Sequence, residues 1–474
     1  MQNNDRRSFL KTITAAGAGI AAISNSASAN SERPAGSTYM GDFIAPKLDK
    51  VRIAIIGCGS RSGTHHNHLA FIQNTEIVGL CDLHQDRAER AKKNVLKQDA
   101  KRHANVKLYT GDKHAYKKMI AELKPDLVYV VTPWEWHAPM AIDAMEGGAH
   151  TCVEVPLCLT IEECWQLANV SERTKKHCMM LENVNYGRDE LLFLNMCRKG
   201  VFGELLHAEA AYIHELRNQM NDNSTTGSWR TYHYANRDGN LYPTHGLGPV
   251  AQYMNLCRTD DNFGRITSFS TPSRGRALYA KEHFPADHKW NKLEFKGGDL
   301  NTSIIKTTMG KTIMVQWDET SPRPYSRHNI IQGTKGAGAG FPTRIALDYK
   351  KGELPEAVFT ALAGKKDHTN YHAWTQGEKL AAVYAEYDHP LYKRMEAEAK
   401  KMGGHGGMDY IMNARVIEAL RLGQPLDQNL YEGLFWSAVG PLSEQSVAQD
   451  GASLAFPDFT RGNWKNTKPL AIIS

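Results

Sequence analysis

Several things are scarce or missing in this sequence, and each gap closes a class of function. Lys and Arg number 57 against 51 Asp and Glu, a formal charge of +6, but no basic cluster stands out, which argues against nucleic acid as a partner. The eight cysteines include no Cys-x-x-Cys pair. Cys58, Cys81, Cys152 and Cys178 fall in or beside apolar strand-like runs. They read as small buried hydrophobes rather than zinc ligands or a disulfide framework, and no metal is expected. The apolar stretch Thr12–Ile23 is too short to cross a bilayer, so no stable membrane anchor is expected. No internal repeat occurs at solenoid spacing. The glycine run Gly333-Thr-Lys-Gly-Ala-Gly-Ala-Gly340 lacks the Gly-Lys-Ser/Thr ending of a phosphate loop and reads as a flexible turn. What remains is a globular composition, 41% hydrophobic and 23% charged over 474 residues, enough for two domains.

The stretch that organises the chain is Val51-Arg-Ile-Ala-Ile-Ile-Gly57-Cys-Gly59-Ser-Arg61-Ser62-Gly63. An apolar, β-branched run stops at a glycine loop and a helical segment follows. That order suits a dinucleotide: Gly57 allows the tight turn, Gly59 admits the pyrophosphate to the backbone, and the helix N-terminus faces the negative charge. The spacing is irregular, because the third glycine comes one residue late, at Gly63 in place of Ser62. A second strand, Glu76-Ile-Val-Gly-Leu-Cys81, ends at Asp82, 25 residues after Gly57. A carboxylate there accepts hydrogen bonds from ribose hydroxyls and repels a 2′-phosphate, favouring NAD over NADP. The alternative for Asp82 is a helix cap.

Residues 50–182 alternate strands (51–56, 76–81, 126–131, 150–154, 178–182) with helices (64–73, 84–97, 114–122, 137–147, 161–176). This predicts an α/β domain with a doubly wound parallel Rossmann sheet and ligands at the strands' carboxyl ends. Two of those ends carry chemistry: Thr132-Pro-Trp134-Glu135-Trp136-His137 and Glu154-Val155-Pro156. The aromatics can wall the nicotinamide or simply pack under a loop. Leu181-Glu-Asn183 closes the last strand, and Asn183 can bond the cofactor's ribose or carboxamide. His65, His66 and His68 follow the glycine loop with no carboxylate or cysteine nearby in sequence, so phosphate-facing or surface roles outrank metal binding.

From 183 to 474 the pattern changes. Strand-like runs at 203–214, 301–308, 311–318 and 328–332 predict an α+β substrate domain with a largely antiparallel sheet. Residues 408–422 have helical periodicity and stop at Gly423. This half carries groups a sugar site needs: Trp229-Arg230-Thr231, Tyr242-Pro243-Thr244-His245-Gly246, Arg323-Pro-Tyr325 and Gly403-Gly-His405-Gly-Gly-Met-Asp409.

The first 29 residues read as an address. Arg6-Arg7-Ser-Phe-Leu-Lys11 matches a twin-arginine signal, and Ala27-Ser-Ala29 is a small-residue cleavage site. Residues 30–49 read as a linker. The expectation is export of the folded protein by the twin-arginine machinery to the bacterial periplasm or beyond. A dinucleotide carried there has no pool to exchange with. It stays bound and regains its redox state each turnover, unless a second substrate resets it.

With Glu154-Val155-Pro156 the chain resembles the glucose–fructose oxidoreductase/inositol dehydrogenase (Gfo/Idh/MocA) superfamily. Its members usually have lysine where Val155 stands, and a valine carries no proton. The closer resemblance is to glycoside hydrolase family 109, NAD-dependent α-N-acetylgalactosaminidases. It spans about 50–465 through Thr132–His137, Glu154-Val155, Leu181–Val184, Trp229-Arg-Thr231, Leu241–Gly246, Arg323-Pro-Tyr325, Gly404–Tyr410 and Pro457-Asp-Phe-Thr460. The loop Gly59–Gly63 is one residue longer than that family's Gly-x-Arg-Gly. The resemblance implies cofactor contacts from Arg61, Ser62, Asp82, Trp134, Glu135, Trp136, His137, Glu154, Val155 and Asn183. It implies sugar contacts from Tyr212, Arg230, Tyr242, Pro243, Thr244, His245 and Tyr325. His245, Tyr325 and Tyr212 are the candidate proton-transfer groups, with Arg230 a candidate to lower a tyrosine pKa. The implied activity removes terminal α-N-acetylgalactosamine from a glycoconjugate by oxidation, elimination, addition and reduction, with no net redox. The alternatives are a periplasmic NAD(P)-dependent sugar oxidoreductase and a non-catalytic, NAD-stabilised carbohydrate-binding protein. A homo-oligomer is left open.

Overall fold

The computed structural model describes residues 33–222, 228–364 and 367–472; the segment read as a signal, 1–29, lies outside them. The first half is built on a six-stranded parallel sheet of β1 (Val51–Ile56), β2 (Thr75–Asp82), β3 (Lys107–Thr110), β4 (Leu127–Val130), β5 (His150–Val153) and β6 (Cys178–Met180), in the order β3-β2-β1-β4-β5-β6. Both faces are covered, so β4 and β5 are buried at every residue. Continuous apolar runs in the sequence are what such a sheet requires. The order reverses between β1 and β4, which opens a crevice at the carboxyl ends of the strands. β3 escapes the sequence pattern because it is a short edge strand with a single buried residue, Tyr109.

The second half is a nine-stranded sheet: β7 (Leu205–Ile213), β8 (Phe263–Ser270), β9 (Leu300–Thr307), β10 (Thr312–Asp318), β11 (Ile330–Gly333), β12 (Gly336–Ala339), β13 (Arg344–Leu347), β14 (Thr375–Gln376) and β15 (Leu454–Ala455). The order is β14-β13-β12-β11-β7-β10-β9-β8-β15, antiparallel except for the parallel pair β7–β10. β8 is hard to see in sequence because a register shift between Phe263 and Arg265 breaks its alternation. The glycine run 333–340 is not the flexible turn expected. Gly336–Ala339 is a sheet strand hydrogen-bonded to its neighbours on both sides. A Cβ on Gly338 would lie 3.0 Å from both Phe193 and Phe202, so the glycine makes room for those two rings.

Two helices lock the halves together. Leu430–Ala448 starts with a capping box formed by Asn429 and Glu432. It is buried along most of its length and packs on β8, β6 and the helix Ile161–Thr174. Met408–Leu422 packs on the helix Ser62–Phe71 that follows the glycine loop. The segment read as a linker crosses this seam from Arg33 onward. Thr38 N–H donates to the Glu172 carbonyl at 2.9 Å, and Tyr39 stacks on Tyr431 with centroids 4.9 Å apart. Arg33, Arg461 and Tyr431 all donate to the buried Glu172 carboxylate. Among the described residues no helix is long and apolar enough to cross a membrane.

Candidate active site

The loop between β1 and its helix has the geometry its glycines suggest. Gly57 sits at φ +91, and a Cβ there would come within 2.1 Å of the Val131 carbonyl oxygen. Only glycine fits where the chain passes so close to the end of β4. Gly59 faces open space, leaving its backbone approachable. Asp82 closes β2, and its carboxylate is oriented by backbone: Oδ2 accepts from Cys58 N–H at 2.7 Å inside the glycine loop and Oδ1 from His84 N–H at 2.8 Å, while the cap position of the next helix is His84 and not Asp82. Ser62 is buried, and its hydroxyl donates to the Gly59 carbonyl at 2.7 Å. The extra residue of the loop is thereby used to close the loop on itself. Asn183 Oδ1 and Trp134 Nε1 are buried with no protein partner. A turn glycine, an open loop face, a carboxylate at the second strand end and spare buried polar atoms fit a dinucleotide.

Arg61 is the hub of this region. Its Nε donates to Glu154 Oε1 at 2.7 Å, and its Nη1 and Nη2 donate to Asp409 at 2.9 and 3.1 Å. Asp409 also accepts from Asn183 Nδ2 and His405 Nδ1, each at 2.7 Å. Burial opposes both charges. Arg61 and His65 nonetheless hold the Glu154 carboxyl well below its usual range, and His405 and Arg61 do the same for Asp409. The carboxylate thought absent near His65 is Glu154, 2.7 Å from its Nε2 and 89 residues away in sequence. Behind it, Asn413 Oδ1 lies 3.2 Å from His65 Nδ1 and accepts from Tyr129 OH at 3.0 Å.

The residues after β4 mostly pack inward. Trp134 is buried against Tyr242, with centroids 5.7 Å apart. His137 is buried and bridges two loops, Nδ1 lying 2.6 Å from the Pro156 carbonyl oxygen and Nε2 2.8 Å from that of Thr132. Glu135 pairs with His233 at 3.5 Å, and Trp136 lies edge-on to His114. Val155 is buried. Arg230 lies over the rings of Trp134, Trp229 and Tyr242 at 5.1–5.3 Å.

Facing these groups is an aromatic cup from the second half. The helix Thr244–Tyr253 carries His245, with Pro243 at its cap position and the Thr244 hydroxyl buried and unpartnered. This helix lies against β7 because Gly246 has no side chain: a Cβ would meet Ala211 N at 2.3 Å and Ala211 O at 2.5 Å. The close approach brings His245 to Tyr212, with centroids 5.2 Å apart, and Tyr242 to Tyr212 at 4.9 Å. Tyr325 meets Tyr212 edge-on at 6.2 Å. Tyr212, the segment Tyr242–His245 and Tyr325 lie far apart in the sequence, and the fold brings them together.

Three contributors escaped the sequence. Glu182 is fully buried and accepts from His245 Nδ1 at 2.6 Å, while its other oxygen has no partner. His214 Nδ1 lies 2.9 Å from Tyr212 OH. The two-residue alternation of the strand already put them on one side. Arg327 donates to Tyr325 OH at 2.8 Å and to Glu190 at 2.6 Å. Asp409, in the 403–409 segment expected to serve the sugar, turns instead to Arg61 and Asn183. Arg230 does not make an ionised tyrosine: burial outweighs it at Tyr242, burial likewise pushes Tyr212 up, and at Tyr325 the opposing cation is Arg327. All three tyrosines are therefore proton donors at neutral pH.

A parallel sheet in this order, a glycine loop and a carboxylate at the second strand end, facing a sheet that holds a histidine–tyrosine cup, define an NAD-binding protein of the oxidoreductase type. The model described as "Oxidoreductase family, NAD-binding Rossmann fold" matches residues 51–182, and that of the "Glycosyl hydrolase 109, C-terminal domain" matches residues 186–466. A "Glycosyl hydrolase family 109 protein 1" from Akkermansia muciniphila is 58% identical over 443 residues, 93% of this chain and 88% of that protein. A Shewanella oneidensis protein named "Alpha-N-acetylgalactosaminidase" is 50% identical over the full length of both. The chain belongs to glycosyl hydrolase family 109. Among solved structures, levoglucosan dehydrogenase in complex with NADH and levoglucosan superposes with a TM-score of 0.60 at 15% identity, over 86% of this chain and all of that one. At that identity the likeness concerns the fold.

Proposed function

We propose that the protein hydrolyses terminal α-N-acetylgalactosamine from glycoconjugates, using NAD within a cycle that ends in its starting redox state. The observation that carries this reading is the His245–Glu182 pair, 2.6 Å apart, set among Tyr212, Tyr242 and Tyr325. Bound NAD supplies the reversible hydride chemistry at carbon 3 of the sugar. Arg61, Asp82, Glu154 and Asn183 would hold it, with Gly57 and Gly59 giving its phosphates access to the backbone.

The rest is proton transfer by this chain. His245 commits its Nδ1–H to Glu182, so Nε2 carries the lone pair and is the base for the carbon 3 hydroxyl. A ketone at carbon 3 acidifies carbon 2, and Tyr212 takes that proton as its own O–H proton passes to Nδ1 of His214, which burial keeps neutral. Loss of that proton expels the group at carbon 1, and water adds there in its place. Tyr325, kept protonated by burial and oriented by Arg327, donates to the leaving oxygen. Arg230, stacked on Trp134 and Tyr242, faces the sugar. Val155 is a reason to put proton transfer on the cup, since the superfamily's usual lysine is absent. We also propose export by the twin-arginine route, which cell fractionation of the full chain against one lacking residues 1–29 tests.

The decisive experiment presents a panel of nitrophenyl glycosides to the purified protein in deuterated water. Aryl release with deuterium at carbon 2 and no net NADH supports the reading. Stoichiometric oxidised sugar replaces it with a sugar oxidoreductase, and no turnover leaves a binding protein. His245→Ala abolishes turnover with NAD still bound; an unchanged kcat refutes the role given to His245.

A further inference from the structure

The segment 403–407 is built unlike any other loop in the described chain. Gly403, Gly404, His405, Gly406 and Gly407 have φ of +69, +81, +45, +74 and +101, five positive values in succession. Such a path is open to glycine and costly to other residues. Its one side chain, His405, pairs with Asp409 at 2.7 Å. Gly404 is pressed into a space where a Cβ would lie 2.8 Å from Thr64 of the loop-following helix and 2.9 Å from Asp409 itself. The loop therefore holds the second half against the glycine loop of the first. Across that junction run the two bonds from Arg61 to Asp409 and, from the end of β6, the bond from Asn183. The Asp409 side chain is fully buried and that of Arg61 is 28% exposed. None of these groups is hydrogen-bonded to Tyr212, Tyr242 or Tyr325, although Arg61 acts electrostatically on Tyr242 and His405 on His214.

We propose that Asp409, with Arg61 and His405, is a clasp that retains the dinucleotide. Arg61 belongs to the loop that receives the phosphates in this fold. As long as Asp409 grips it from the other half, that loop cannot part from the helix Met408–Leu422. Opening the clasp exposes a buried carboxylate and breaks a bidentate ion pair. An interaction of that kind slows release by about 10- to 100-fold. The inference rests on NAD binding alone and not on the glycosidase cycle.

The test measures exchange of bound NAD for excess labelled NAD in the full-length protein, with no sugar present. Asp409→Asn keeps the shape and removes the charge, and release is expected to accelerate about 10- to 100-fold. His405→Ala removes one donor from an exposed position, so folding is not at risk, and about 2- to 10-fold acceleration is expected. Arg327→Met, destabilised away from the loop, serves as the control for looseness in general. Faster exchange in the two clasp variants but not in the control supports the clasp. Exchange at the wild-type rate in folded His405→Ala or Asp409→Asn overturns it, as does equal acceleration in Arg327→Met.

Discussion

Gly246→Ala is the sharpest probe of the cup, because the new methyl group has nowhere to go. Its Cβ would sit 2.3 Å from Ala211 N and 2.5 Å from Ala211 O, where ordinary contact begins near 3.4 Å. Both obstructing atoms are backbone in the middle of β7, so no side chain can swing aside. The helix Thr244–Tyr253 must retreat by about 1 Å, taking His245 with it and loosening its approach to Tyr212. A displacement of that size near reacting groups costs about 100-fold in rate. Overpacking of this kind costs about 1–3 kcal/mol, or roughly 1–3 °C in a protein of this size. The assay is kcat on a nitrophenyl glycoside, with a thermal melt and the bound NAD content on the same sample. Gly248→Ala on the same helix pushes on side chains instead: its Cβ would meet the buried Asn185 and Glu182 at 2.9 and 3.0 Å, so it acts on His245 through its partner Glu182 and not through the backbone of β7. A Gly246→Ala protein with kcat within twofold of wild type and an unshifted melt refutes the idea that this close approach sets His245.

Glu182→Gln replaces the acceptor of His245 Nδ1–H with a neutral amide. A charge-assisted bond of about 1.5–3 kcal/mol is lost, so kcat falls about 10- to 100-fold with NAD still bound; equal kcat refutes the pairing. Arg327→Met leaves Glu190 buried without its cation, at about 3–5 kcal/mol in a denaturation curve. Arg327→Met with Glu190→Gln should recover most of that loss, and additive losses count against the pair. Mild acid should also weaken the fold. Burial lowers His66, His68, His177 and His389 to about 4 and His150 to about 3. An unfolded chain binds protons at these sites from about pH 6.5 downward while the folded one does not. Stability is therefore full above pH 6.5 and is lost as pH falls toward 4, by about 1–2 kcal/mol per histidine between pH 7 and 5. The buried carboxylates Glu154 and Asp409, held below their usual range, add to the loss only in stronger acid. Urea melts at pH 7, 6 and 5 measure this, and a flat profile excludes it.

The strands β1, β2, β4 and β5 were legible because a sheet covered on both faces leaves continuous apolar runs, and Gly57 and Asp82 because a turn and a strand end have fixed places along the chain. Short, bulged or glycine-rich strands were not legible: β3, β8 and β12 lack the alternation that marks a half-buried strand. The helix 408–422 and its stop at Gly423 were visible because helical periodicity and a left-handed cap are local properties.

The amino-acid order by itself determined the elements, the glycine loop and the family segments, since periodicity and turn chemistry act between near neighbours. Only the tertiary structure decided who pairs with whom. Glu182 meets His245 across 63 residues and Arg61 meets Asp409 across 348. It also decided the protonation of Tyr212, Tyr242 and Tyr325, because burial outweighs the cation beside them. Ion pairs and desolvation depend on distance in space, and along the chain that distance leaves no trace.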